Sequence, residues 1–149
     1  MSSEALRVLD PDRNYISMVP AGRFPEEVLK KIVPLLDRVV AEEHDQTIET
    51  VLMDLFRGDS QIWVVNNFEA VLVTKIFTRG IKKILSIELM AGDNVKGWRE
   101  DWIDTETRFA RANHCDRVEF ATARNCRRAV ARLHPGFKPQ YTVYRRDVT

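Results

Sequence analysis

The sequence predicts an α/β (α+β) domain built on one mixed central sheet with helices on both faces, in the order β-α-α-β-β-β-α-β-α-β. Three observations carry that expectation. A short β-prone run is followed by two apolar stripes of helical spacing. Three runs rich in branched and aromatic residues then succeed one another across hairpin-sized joints, and from there helix and strand alternate. Strands that pass into alternation imply a mixed sheet, because each crossover must lay its helix on a sheet face.

Tyr15 to Val19 is the first β-prone run, stopped by Pro20 and Gly22. Pro25, with Glu26 and Glu27 behind it, opens a helix, since proline suits the first helical position and acids suit the positive end. Leu29, Ile32, Val33, Leu36, Val39 and Val40 form its apolar stripe, inside which Pro34 is expected to kink or divide the helix. Asp45 is the expected cap of a second helix carrying Ile48, Val51, Leu52, Leu55 and Phe56 until Gly58 ends it. Gln61–Val65 and Ala70–Phe77 then read as strands flanking the turn Asn66-Asn67-Phe68-Glu69, and Ile84–Met90 follows as the third strand of the meander. Beyond Gly92 and Gly97, the residues Trp98, Trp102, Thr105, Phe109 and Ala112 share one face of a third long helix, with both tryptophans as core anchors. Val118 and Phe120 mark a strand, Asn125–Leu133 a short basic helix, and Tyr141–Tyr144 a final strand.

The 149 residues suit one domain over 1–149, with residues 1–13 expected as a flexible arm. A composition that is 44% hydrophobic supplies a core without disulfide or metal staples. Twenty-three Lys and Arg against 22 Asp and Glu leave a formal charge of +1, which argues against a dedicated electrostatic nucleic-acid binder. Cys115 and Cys126 are too few for a disulfide scaffold and lack zinc spacing, so a reducing, cytoplasmic setting is expected. The N-terminus carries charges where a secretory signal would be apolar, and no membrane span is expected. Charge drifts along the chain: residues 41–60 are acidic, whereas the stretch from residue 112 onward is basic.

This order of elements resembles the GCN5-related N-acetyltransferase (GNAT) superfamily, in which two helices follow the first strand and an acyl-CoA lies beside the fourth. The match covers roughly Asn14 to Val148. Asn125 followed after ten residues by Gly136-Phe137 resembles the closing pattern of that superfamily. Gln61-Ile-Trp63, Ala121–Leu133 and Gly136-Phe137 before an aromatic strand together resemble the small acetyltransferase-like proteins of tailed phages, which include an internal virion protein of short-tailed phages.

The resemblance implies acetyl-CoA as cofactor, its pyrophosphate held by backbone amides in a loop of form Gln/Arg-x-x-Gly-x-Gly/Ala at the start of the helix after the fourth strand. The physics is general: such an end presents unsatisfied donors and partial positive charge, and missing side chains let phosphate approach. Here Asn94 stands for the Gln/Arg, Gly97 for the first glycine and Arg99 for the second, so one motif position of three survives. Leu89, Met90, Val95 and Trp98 complete the stretch that would border the ligand, and Lys96 and Arg99 could supply charge in place of lost geometry. The other reading of these residues is an ordinary loop and helix start with Lys96 and Arg99 solvated. Asn125 and Arg128 are the further cofactor-binding candidates.

Catalysis by this route needs a base for the attacking amine and an acid for the departing thiolate. Glu88 is the one carboxylate in the apolar run of the fourth strand and shares a face with Ser86, where members of the superfamily often place the base; burial would raise its pKa. A carboxylate satisfied by a neighbouring element is the alternative. The usual acid, a tyrosine seven residues after the asparagine, is here Arg132, which leaves Tyr141 or Tyr144, on opposite strand faces, to replace it. His114 beside Cys115 reads as a cation completing a helix C-terminus rather than half of a nucleophilic pair. His44 and His134 have no evident partners, and no metal spacing occurs.

Arg124, Arg128 and Arg132 recur every four residues and share a stripe that suits the 3′-phosphate of CoA, nucleic acid, or the acidic face of another copy. Two functions follow. One is an acyl-CoA-dependent N-acyltransferase acting on an amine, favoured by Glu88 and Asn125. The other is a catalytically inactive phage virion or assembly protein, forming homo-oligomers or binding virion proteins, favoured by the lost motif positions and tyrosine; if phage-encoded, its place would be the host cytoplasm or the virion.

Overall fold

The computed structural model describes residues 14–22, 24–43, 46–120, 136–138 and 146–148. The expected helix at Asn125–Leu133, the final strand at Tyr141–Tyr144, and with them Arg124, Arg128 and Arg132, lie outside the described residues, as do Asp45, His44, His134 and Cys126.

The first strand, β1 (Ile16–Val19), stops at Pro20 as expected. Helix α1 (Glu26–Glu43) opens on the carbonyl of Pro25, which accepts from the N–H groups of Val28 (3.0 Å) and Leu29 (3.1 Å), with Glu26 and Glu27 in the first turn. Of the two outcomes expected at Pro34, division does not occur: α1 runs on through it as one helix. Ile32, Leu36 and Val40, buried on either side, pin both halves to the sheet. Pro34 itself is exposed, so water can reach the backbone that loses its partner.

Helix α2 (Ile48–Arg57) is capped by Thr47 rather than at Asp45. Thr47 Oγ1 accepts from Thr50 N (3.3 Å) and Thr50 Oγ1 accepts from Thr47 N (3.1 Å), a reciprocal box built from two threonines. Gly58 ends the helix in the left-handed conformation (φ 80°), and the Asp59 N–H closes back on the Asp54 carbonyl (2.9 Å).

Strands β2 (Ser60–Val65), β3 (Ala70–Arg79) and β4 (Lys82–Gly92) form the expected meander, then α3 (Val95–Ala112) crosses to β5 (Arg117–Phe120). The sheet order is β1-β2-β3-β4-β5, antiparallel throughout except for the parallel β4–β5 pair that the α3 crossover requires. Alternate residues of the strands feed two cores. Ile62, Val64, Val73 and Leu89 pack beneath α1 and α2, whereas Trp63, Leu72 and Ile87 meet Trp98 and Trp102 of α3 on the other face. Trp63 stands edge-on to both Trp102 (ring centroids 5.6 Å apart) and Phe109 (4.9 Å), and donates its indole N–H to Thr74 Oγ1 (2.9 Å), which donates to Gln61 Oε1 (2.9 Å).

The buried edge of α3 differs in part from the expected stripe. Trp98, Trp102, Glu106 and Ala110 are buried at intervals of four, Thr105 and Phe109 flank them half-buried, and Ala112 is exposed. The helix ends with His114 left-handed (φ 60°), its N–H on the Arg111 carbonyl (3.1 Å) and the Cys115 N–H on the Ala110 carbonyl (2.8 Å). His114 thus holds the position glycine usually takes in this motif.

Candidate functional site

The fourth strand is irregular at the residue singled out as a base. Val73 lies opposite Leu89 and Thr74 opposite Ile87, so Glu88 is an extra residue with no partner on β3, a β-bulge. The half-buried Glu88 carboxylate accepts from Ser86 Oγ at Oε2 (3.0 Å). Ser86 lies opposite Lys75, which reaches Asp54 of α2 (3.9 Å), so the Ser86–Glu88 pair belongs to the α1–α2 face together with Leu89. Met90 turns to the α3 face. A bulge of this kind re-aims a side chain and locally frees backbone from the ladder.

Four residues beyond Glu88, about 13 Å along the strand, β4 ends at Gly92 and the chain turns into α3 through Asp93 and Asn94. Asn94 is left-handed (φ 59°, ψ 38°) and its side chain makes no capping bond. The Gly97 N–H donates to the Asn94 carbonyl (2.9 Å); the N–H groups of Val95 and Lys96 precede that bond, and the first turn contains no acid. Lys96 and Gly97 are exposed, Val95 and Arg99 half-buried. Trp98 is fully buried and donates its indole N–H to the Asp93 carbonyl (2.8 Å), fixing the turn from below. The residues present therefore fit an anionic group: uncapped donors, an exposed lysine and an exposed glycine coincide at one helix end. The Asn94 carboxamide lies over Gly97, where a Cβ would stand 2.5 Å from Asn94 Nδ2.

Of the expected site residues, the structure gathers Asn94, Val95, Lys96, Gly97, Trp98 and Arg99 at this junction and places Glu88, Leu89 and Met90 on the strand leading to it. Asn125, Arg128, Tyr141 and Tyr144 lie outside the described residues. The Cys115 thiol is pushed up by burial, partly offset by Lys83, which suits a structural thiol better than a nucleophile. Among the described residues no three His, Cys, Asp or Glu converge as a metal site, and no helix is long and apolar enough to cross a membrane.

Two features escaped the sequence reading. Glu106 is 3% exposed, and burial pushes its carboxyl up to about 7; the indole of Trp102 pulls the value partly back without reaching hydrogen-bond geometry, since Trp102 Nε1 and Glu106 Oε2 both lack a partner among the described residues. The signal for it was its place four residues after Trp102. The second is a set of polar side chains around the α3 start, in which Asn14 Nδ2 donates to the Gly97 carbonyl (2.8 Å) and Asp101 Oδ2 (2.7 Å) and Asn66 Nδ2 to Asn14 Oδ1 (3.1 Å). Sequence could show Asn66 only as a turn residue.

No protein-family model and no curated protein matches the chain. Solved structures do resemble it. A probable acetyltransferase superposes with a TM-score of 0.68 at 12% identity, covering 91% of this chain and 98% of that one. The aminoglycoside N-acetyltransferase AAC(6′)-Iy, solved in complex with CoA, gives 0.63 at 12% identity over 93% and 98%. The aminoglycoside acetyltransferase meta-AAC0020, from an uncultured soil metagenomic sample and solved with trehalose, gives 0.61 at 16% identity over 91% and 97%. Nothing in these likenesses supports the phage resemblance. The likeness is one of architecture: with five strands in a mixed sheet and three helices among the described residues, the chain has the GNAT acetyltransferase fold.

Proposed function

We propose that this protein is an acyl-CoA-dependent N-acyltransferase, with the reacting end of the ligand at Glu88 and its pyrophosphate at the start of α3. The observation that carries the reading is the bulge at Glu88. It sets one carboxylate out of register with β3, about 13 Å up the strand from an uncapped helix end. A linear ligand with a reactive group at one end and phosphates at the other suits that spacing.

When bound, acetyl-CoA would supply the activated acyl group. The chain's own residues would do the rest. Glu88 takes the proton from the incoming amine, with Ser86 Oγ fixing Oε2. Leu89 and Met90 carry the backbone along which the ligand's arm runs. The N–H groups of Val95 and Lys96, with the Lys96 and Arg99 side chains, hold the phosphates. Two of the similar structures are aminoglycoside acetyltransferases, which makes amino sugars a first choice of amine to assay.

The test is release of free thiol from acetyl-CoA in the presence of a panel of primary amines and amino sugars. Turnover is expected, with Glu88→Gln lowering kcat by about 10²- to 10⁴-fold while acetyl-CoA binding is kept. Acetyl-CoA at a hundred times its Kd should also stabilise the fold by about 2.7 kcal/mol. No thermal shift and no thiol release at millimolar acetyl-CoA would refute the proposal.

A further inference from the structure

The β2–β3 turn reaches the start of α3 through hydrogen bonds that converge on one carboxylate. Glu69 accepts from Asn94 Nδ2 at Oε1 (2.7 Å) and from Asn66 Nδ2 at Oε2 (2.8 Å), and its backbone carbonyl accepts from the Asp93 N–H (3.1 Å). Between them passes Gly92, with φ at 129°; a Cβ there would stand 2.4 Å from both the Glu69 carbonyl oxygen and the Ala70 Cα. Turn and junction are in backbone contact, so the carboxylate decides where the Asn94 side chain points.

That direction is unusual for its position. An asparagine at a helix N-cap ordinarily has extended backbone and turns its side-chain oxygen onto the N–H groups of the first turn, whereas Asn94 is left-handed. Asn94 makes no such bond; its carboxamide is drawn aside, across Gly97 and onto Glu69. Without that tie the carboxamide would be free to fold back and occupy the donors that a phosphate needs.

Resting on the acyl-CoA reading above, we infer that Glu69 is a positioning residue for the pyrophosphate: by holding Asn94 aside it keeps the amide end of α3 open. Glu69 acts through Asn94 and need not touch the ligand. An N-cap bond of ordinary strength competing for these donors corresponds to about a fivefold loss of phosphate affinity.

The experiment is calorimetric titration of acetyl-CoA and, in parallel, of S-acetylpantetheine, which lacks the pyrophosphate. Glu69→Ala is expected to weaken acetyl-CoA about fivefold and leave S-acetylpantetheine within twofold. Adding Asn94→Gly, which suits the left-handed position and removes the competing carboxamide, should restore acetyl-CoA to within twofold of wild type. A double variant as weak as the single one, or equal losses for both ligands, would overturn the inference. Should Glu69→Ala fail to fold, Glu69→Ser, whose hydroxyl is too short to reach Asn94 Nδ2, takes its place with the same fivefold loss and the same rescue. Amide hydrogen exchange on the ligand-free protein separates this inference from the acyl-CoA reading. Glu69→Ala should slow exchange at Lys96 as the new cap forms; unchanged or faster exchange there overturns the positioning role, whatever the protein binds.

Discussion

Replacing Glu106 with glutamine should leave the protein nearly unchanged in acid and make it markedly more stable above neutral pH. The carboxyl is buried beneath α3, and its pKa rises from 4.5 to about 7 because burial penalises the charged form, an effect that Trp102 only partly offsets. A raised folded-state value means that the native state holds the proton more tightly than the unfolded chain does. The stability this confers is fully present below pH 4.5, declines as pH rises through 7, and is gone above it. At about 1.4 kcal/mol per tenfold, the difference amounts to about 3 kcal/mol between pH 4 and pH 8. For a chain of this size that corresponds to about 6–12 °C in Tm. Glutamine keeps the shape and cannot ionise, so any cost of burying its amide is the same at every pH. The assay is thermal unfolding of both proteins from pH 4 to 8.5, read as the variant's Tm minus the wild type's. That difference should grow by most of the stated amount between pH 5 and 8. A constant difference across the range would refute the reasoning, because it would mean that Glu106 ionises alike in both states.

Two further substitutions probe the backbone. Gly92→Ala should cost about 2 kcal/mol or more, since the new methyl meets backbone atoms of Glu69 and Ala70 and the residue sits at φ 129°; an unchanged urea midpoint would contradict this. His114→Gly should stabilise by about 0.5–1 kcal/mol by relieving a left-handed residue at the end of α3, again read from the urea midpoint, and a loss of stability would tell against it.

What could be read from the sequence was local. The α2 stripe, the Asn66–Glu69 turn, the stop at Gly58 and the anchoring of Trp98 and Trp102 all depend on residues within a few positions of one another, and each stands where spacing and turn chemistry put it. Asp45 and Thr47 are both good caps two residues apart, and nothing local separates them. Propensity alone makes Pro34 a kink or a break, because it knows nothing of Ile32 and Leu36 gripping the sheet on either side. Glu88 stood out as a lone carboxylate in an apolar run, but the bulge beneath it is a property of register with β3, which one strand's alternation does not encode. An acid breaks an apolar stripe on paper, so spacing alone does not mark Glu106, while the fold buries it. The tie from Glu69 to Asn94 spans 25 positions and joins two turns that only the finished sheet brings together.

The three tryptophans of the chain, Trp63, Trp98 and Trp102, all sit on the α3 side of the sheet, in one aromatic cluster. Intrinsic fluorescence is consequently a one-sided witness. It will follow α3 lifting from β2, yet stay silent if α1 and α2 loosen alone. Disagreement between an emission trace and circular dichroism during unfolding would thus localise the first layer to come apart, with no label added.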